Sequence, residues 1–366
     1  MGKTTITNVH VFDGENLTGP TTVAIDGHVI GSAGSLGAAD AVVDGTGCTL
    51  LPGLIDCHVH ADSEAHLRRF GPYGVTTVLD MGGITDVAPL RSKCNSPGSG
   101  LPSYQSSLCP AAHPASRHAG LLKLTDAETV KDPAAAEPLV AARLAAGADY
   151  FKIIADAPGF DEPTLAALAG AARDRGMRSV AHAAHKLAYE RSARAGVDVL
   201  THIPVDAVLD DATVAQLRAA GRIVVPTLGI MKSQVAVIRQ APGRGHLTFD
   251  TALANLRKLH DAGVPLCAGT DANDVPELPQ FTHPMGVSLH DELELMTQGG
   301  MTTTEVLRGA TSRAAEAFGF DDRGRVKEGM RADLVLVEGN PVESIAATKN
   351  VRKVWIGGVE VALPSS

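Results

Sequence analysis

The distribution of apolar residues changes character twice along the chain. Residues 4–53 read as short strands and turns, "TTITNVHVFDG", "TTVAIDGHVIGSAG" and "AVVDGTGCTLLPG", rich in Thr and Val and broken at Gly and Asp. From residue 51 short apolar runs alternate with amphipathic stretches. The runs are "GLIDCHVH", "VTTVLDMG", "SYQSSLCPA", "DYFKIIAD", "RSVAHA", "DVLTHIP", "RIVVPTLG" and "VPLCAGTDA". Between them lie helical patterns such as "EPTLAALAGAARDRG" and "KLAYERSARAG". Eight strand–helix units of this kind predict an α/β protein built on a TIM (β/α)8 barrel. The stretch "TTTEVLRGATSRAAEAFG" predicts one further helix, opened by a Thr302–Glu305 capping box and closed at Gly319. After "DDRGRVKEGM" the strand texture returns in "ADLVLVEG" and "NVRKVWIGGVEV". Both ends therefore predict one small composite β-sandwich, residues 1–50 with 324–366, flanking a barrel over 51–323. "GSAGSLG" has no following Lys-Ser/Thr and opens no helix, so it reads as a hairpin or loop rather than a phosphate loop.

The polar residues inside the apolar runs carry the chemistry. "LPGLIDCHVHAD" ends in His58 and His60, and positions i and i+2 of a strand share a face. In a barrel of this type, functional side chains gather where the strands end. His182, His202 and Asp271 close the fifth, sixth and eighth runs, and Lys152 lies inside the fourth. Any one of these residues alone reads as ordinary core or surface. Four imidazoles and a carboxylate at one face predict a metal site. A lysine in a strand interior is costly while charged, and burial favours its neutral amine. That amine can add CO₂ to become a carbamate able to bridge two divalent cations; the alternative is a lysine that snorkels or pairs with an acid.

Composition narrows the partners. The 366 residues carry a formal net charge of -9, with 44% hydrophobic and 20% charged residues, and no basic stripe. A nucleic-acid partner is not expected. "MGKTTITNVHVFDGEN" lacks the apolar core of a signal peptide, and no apolar run is long enough to span a bilayer. Five cysteines form no CxxC, which predicts free thiols and a cytoplasmic location. The expected partner is a small molecule, with homo-oligomerisation left open. "MGKTTI" matches a myristoylation pattern by chance, since a strand follows directly.

"LPGLIDCHVH", "YFKII", "VAHA", "LTHIP", "AGTDA" and "GRVKEGMRADLVLVEGNP" resemble, in this order, the motifs of the amidohydrolase superfamily. The similarity runs over essentially the whole chain and is closest to the imidazolonepropionase-related branch with its dipeptidase-like and ochratoxinase-like enzymes. It implies a binuclear centre, usually zinc, with Mn²⁺, Co²⁺ or Fe²⁺ as alternatives. It further implies that His58, His60 and Asp271 hold one metal and His182 and His202 the other, with carboxylated Lys152 bridging both. Hydrolysis of a C–N amide bond in an N-acyl amino acid, a peptide-like molecule or a cyclic amide is the activity implied. The nucleophile would be a hydroxide shared by the metals, with Asp271 as general base. A lactone or ester is the alternative substrate of such a centre. A deaminase is disfavoured because His185, rather than a glutamate, stands three residues after His182, and Lys152 is present. A non-catalytic scaffold is disfavoured because all six ligand positions are filled.

Substrate recognition is expected on the loops after strands 2, 7 and 8. Lys232, Arg239, Arg244 and His246 in one loop, and His283 and His290 in another, are candidates for clamping a carboxylate. Met231, Phe281 and Met285 suggest an apolar side to the pocket. Of these, His246, His283, His290 and Met231 are the candidate substrate contacts. Dipeptidase-like relatives place a tyrosine two residues after the strand 5 histidine. Here Ala184 stands there, which weakens a carboxylate-recognising dipeptidase.

Overall fold

The computed structural model describes residues 2–32, 39–83, 86–96, 98–276 and 279–364. Beyond position 32, the Gly/Ser segment expected to be a hairpin or loop lies outside them. Five strands come first: β1 (Lys3–Phe12), β2 (Leu17–Asp26), β3 (Val29–Gly31), β4 (Ala41–Asp44) and β5 (Cys48–Pro52). Seven follow in the middle: β6 (Leu54–Val59), β7 (Val75–Asp80), β8 (Ser103–Ser106), β9 (Tyr150–Ile154), β10 (Arg178–His182), β11 (Val199–Thr201) and β12 (Ile223–Val225). Three close the chain: β13 (Leu334–Glu338), β14 (Val351–Ile356) and β15 (Val359–Glu360).

The two ends of the chain share one sheet, ordered β15-β14-β13-β5-β1-β2-β3 with β4 beside β1. Its far edge returns to the stretch before β13: Ile30 N donates to Met330 O at 2.8 Å and Ala332 N to His28 O at 2.9 Å. The sheet thus bends round a core of Ile6, Val9, Ile25, Leu50, Leu334 and Trp355. Only Gly53 separates β5 from β6, because any Cβ there would run into the Thr76 side chain.

In the middle, β6-β7-β8 and β9-β10-β11-β12 are parallel sheets. Asp149 N donates to Ser106 O and Ile154 N to Ala111 O, each at 2.9 Å, which joins the two sheets. Residues 264–272 are not a regular strand, yet Cys267 N donates to Val224 O at 2.9 Å and His60 N to Ala272 O at 2.7 Å. The middle of the chain is a TIM-barrel-like fold, with the terminal sheet as an extra domain. Alternation divides each strand. Ile55, Leu79, Tyr150, Val180, Val199 and Ile223 pack into one cluster, while Leu54, Val78, Phe151, Ala181, Leu200 and Val224 pack into another with the helices. No helix among the described residues is long and apolar enough to cross a membrane. All five cysteines are buried and free.

The helix expected over 302–319 is two helices, Thr303–Gly309 and Ser312–Phe318. The Thr302–Glu305 capping box forms, and Gly319 ends the second helix at φ 75°. The break has a tertiary cause. Gly309 O accepts Ala268 N at 2.9 Å and Ala310 O accepts Ile55 N at 2.8 Å, so both carbonyls serve strand edges instead of continuing the helix.

Asn255, on the helix Phe249–Asp261, pins the segment that follows His202. Its Nδ2 donates to Pro204 O at 2.9 Å and Ala207 O at 3.0 Å, and its Oδ1 accepts Leu209 N at 2.8 Å. Asn255→Ala leaves these buried groups unpaired and is expected to cost about 1–3 kcal/mol. Urea unfolding measures this; an unchanged midpoint would mean that the segment is held by other contacts.

Candidate metal centre

His58 and His60 reach the same side with the help of a bulge. Asp56 pairs with Val78 and Val59 with Asp80, so three steps along β6 match two along β7. Strict alternation from Ile55 and Cys57 would have turned His58 away from the inner face. The extra residue reverses the phase, and Val59 then points to the helices while His58 and His60 point inward. Their Nε2 atoms lie 3.2 Å and 3.0 Å from Asp271 Oδ1. Donor atoms of all three residues fall within 4.8 Å of one another, a spacing that could hold a cation.

The imidazoles of His58, His202 and His182 form a row. Ring centroids are 4.9 Å apart for His58 and His202, and 4.2 Å apart for His202 and His182. Each of three rings has one nitrogen committed to a neighbour. His60 Nδ1 meets Gly82 O at 2.8 Å, His202 Nδ1 meets Thr227 Oγ1 at 2.8 Å, and His182 Nε2 meets Asp156 Oδ2 at 3.1 Å. With the proton of each ring on the nitrogen that meets its neighbour, the second nitrogen would present a lone pair, the arrangement typical of metal-binding histidines. His58 Nδ1 is buried without a partner. Burial also pushes the His58 imidazole down to about 3 and His202 well below its ordinary value, so both are neutral and able to ligate.

Asp271 is buried, which by itself would raise its carboxyl; the His58 and His60 imidazoles hold it well below the usual carboxylate range. Asp271, His202 and Thr227 have φ of 61°, 70° and 48°. Left-handed backbone is costly for such residues and persists where the surroundings enforce it, commonly at functional sites.

Lys152 sits inside β9 with 2% exposure. Its Nζ donates to Thr201 Oγ1 at 2.9 Å, and Thr201 Oγ1 donates to Ala181 O at 2.9 Å. Burial lowers the amine to about 7, against the pull of the Asp271 and Asp80 carboxylates. Beneath the histidines lie two further buried acids. Asp56 accepts from Thr270 Oγ1 at 2.7 Å and Asp80 from Ser106 Oγ at 2.6 Å, and burial raises them to about 7 and about 6.

The four candidate substrate contacts separate. His283 is nearly buried, with Nε2 unpartnered. His246 is exposed, like Arg239 and Arg244 on the same loop; Lys232, expected on that loop, is exposed on the helix Leu228–Ile238 instead. His290 is not brought to the centre: it is buried with Nε2 3.0 Å from Tyr73 O. Met231 is buried in the core that packs against the helices. His185 is not on a helix shared with His182. It stands at the N-cap of Lys186–Ala195, with Nδ1 3.2 Å from Asp156 Oδ2.

Three neighbours of the centre escaped the sequence reading. Asp156 ends the fourth run, where the strand-end rule could have found it; burial would raise it, but His182 and His185 hold it well below its ordinary value. Thr227 lies within the seventh run, two residues after the end of β12, where the same rule could have found it. His118, on the short helix Arg117–Leu121, has its ring 4.4 Å from that of His182, and burial pushes it down to about 3. No local pattern marks it.

The profile of the amidohydrolase family matches residues 49–361. An imidazolonepropionase of Paracoccus denitrificans (strain Pd 1222) is 37% identical over 26% of this chain and 22% of its own length. Adenine deaminase 2 of Rhizobium meliloti (strain 1021) is 28% identical over 93% of this chain and 55% of its own. The chain therefore spans about half or less of the length of these curated relatives. The crystal structure of a Xaa-Pro dipeptidase with bound methionine in the active site superposes with a TM-score of 0.83, at 24% identity, over 98% of this chain and 99% of that one. Its likeness is one of fold. With the profile running from β5 to the last strand and enclosing every residue of the centre, the chain belongs to the amidohydrolase family.

Proposed function

We propose that the chain is a metal-dependent hydrolase of C–N amide bonds in small molecules: N-acyl amino acids, peptide-like compounds or cyclic amides. The observation that supports this is the convergence of His58, His60 and Asp271 on one point beside the His202–His182 row. Residues 51–323 would form a closed (β/α)8 barrel, a reading supported by the hydrogen bonds that run from β12 through residues 264–272 to β6 and His60. Residues 1–50 and 324–366 are then the composite β-sandwich.

His58, His60 and Asp271 would hold one divalent cation and His182 and His202 a second. Zinc suits these nitrogen and oxygen donors best, with Mn²⁺, Co²⁺ and Fe²⁺ as alternatives. Lys152 would serve both as a carbamate: neutral Nζ forms an N–C bond to CO₂ and releases a proton. Two bound cations supply Lewis-acid polarisation of a carbonyl and a water acidic enough to ionise near neutral pH. The chain's own residues do the rest. Asp271, kept ionised by its imidazole neighbours, accepts the proton of the attacking water and returns it to the departing nitrogen. Asp156 and Thr227 fix the ring orientations of His182 and His202. His283 and the exposed His246 remain the candidates for holding substrate.

Elemental analysis of chain purified without chelators is expected to find about two equivalents of divalent metal, as the six-ligand set implies. The same preparation should hydrolyse one class within a panel of N-acyl amino acids, dipeptides and cyclic amides. Active protein free of metal would overturn the proposal. The adenine deaminase similarity favours one second reading, release of ammonia from an amino-purine. Adenine and lactones therefore belong in the panel, and turnover of either alone would replace amide hydrolysis.

A further inference from the structure

The helix Leu228–Ile238 starts directly behind the residue that holds His202. Thr227 stands at its N-cap, where a threonine hydroxyl ordinarily accepts a first-turn amide. It makes no such bond. Its Oγ1 is committed to His202 Nδ1, 2.8 Å away. The open amides are taken instead by Glu292, from the helix Val287–Gln298. Leu228 N donates to Glu292 Oε1 and Gly229 N to Oε2, each at 2.8 Å. At position 229 a Cβ would lie 2.8 Å from His283 Nε2, so any larger residue there would displace the His283 ring, while its 3.6 Å distance to Glu292 Oε2 is ordinary contact.

Glu292 is fully buried. A carboxylate in that position costs free energy that leucine or methionine would not, so packing does not account for it. What an acid adds is two oxygens, one for each open amide at the start of the helix, even though burial raises its carboxyl to about 8. Thr227 meanwhile holds φ 48° and ψ 49°, a conformation unfavourable for a β-branched residue unless bonds on both sides enforce it.

We infer that Glu292 is a positioning residue for His202: by capping the helix in place of Thr227, it frees the Thr227 hydroxyl to hold His202 Nδ1 and so aims Nε2 at the second cation. The inference rests on the proposed role of His202 as a ligand of that cation. Second-partner contacts of this type are worth about 10- to 100-fold in metal affinity.

Titration of zinc or cobalt into metal-free chain, followed by calorimetry and the visible cobalt spectrum, tests this without reference to activity. Glu292→Gln keeps the volume but replaces one acceptor with a donor facing an amide. It should leave the first equivalent intact and weaken the second by about 10- to 100-fold. Thr227→Val should do the same and Thr227→Ser should not. The Glu292→Gln/Thr227→Val double variant should be no weaker than Thr227→Val alone, because both act through one hydroxyl. Wild-type affinity in Glu292→Gln, or equal weakening of both equivalents with a lowered melting temperature, would overturn the inference. Should Glu292→Gln not fold, Glu292→Asp keeps the carboxyl group at shorter reach, and the same selective loss of the second equivalent is expected. His202→Asn separates the two levels: two tight equivalents there would remove His202 from the ligand set, whereas loss of one with Glu292→Gln unaffected would reject only the role of Glu292.

Discussion

Lys152→Ala is expected to abolish most of the activity, by about 10²–10³-fold, the scale on which loss of a principal charge-stabilising group acts. The side chain is buried inside β9 among the histidines, and its partner Thr201 Oγ1 already donates to Ala181 O. Alanine removes the proposed carbamate and with it the carboxylate proposed to serve both cations. Metal content should therefore fall together with activity. The fold should survive, because a buried amine is exchanged for a small apolar side chain. Two controls separate a bridging role from a packing role. Acetate or propionate, supplied in solution, should restore part of the activity in the alanine variant by occupying the vacated volume with a carboxylate. Lys152→Glu should retain more metal than Lys152→Ala, but on a shorter arm. Full activity in Lys152→Ala would show that the lysine is structural.

Asp271→Asn should lower kcat by about 10²–10⁴, the usual worth of a general base. The substitution is well matched in shape. Asn retains one ligating oxygen, and it tolerates the left-handed backbone of this position, φ 61°, better than most residues. Metal and fold should accordingly be kept while proton acceptance is lost. Asp271 is held ionised by His58 and His60, so the proposed base is available above its depressed pKa and is lost as pH falls through it. The acidic limb of the pH–rate profile should disappear or move in the asparagine variant. Parent rates with an unchanged acidic limb would exclude Asp271 as the base, and His246 or His283 would then be the groups to replace.

Periodicity and strand ends made much of this protein legible from its amino acids alone. The apolar runs and intervening helical patterns are local properties, set by which side chains suit a two-faced strand or a one-faced helix, and they located seven strands and the unassigned eighth segment. His58, His60, His182, His202 and Asp271 stand out as candidates because each closes an apolar run where a core has no use for it. Lys152 stands out because a strand interior penalises a charge. Tertiary structure decided the rest, for reasons that act between distant segments. The bulge in β6 depends on register with β7, which the spacing of His58 and His60 does not contain. The break at Ala310 arises because Ile55, about 250 residues earlier, takes its carbonyl. His290 and His283 lie on the same predicted loop, yet one is drawn to the Tyr73 carbonyl while the other stays unpartnered beside Gly229. The orientation of His202 is likewise set by Thr227, whose hydroxyl is free because Glu292 caps the next helix. Hydrogen-bond partners chosen across such distances leave no period in the sequence, because each is settled only when the strands and helices have packed.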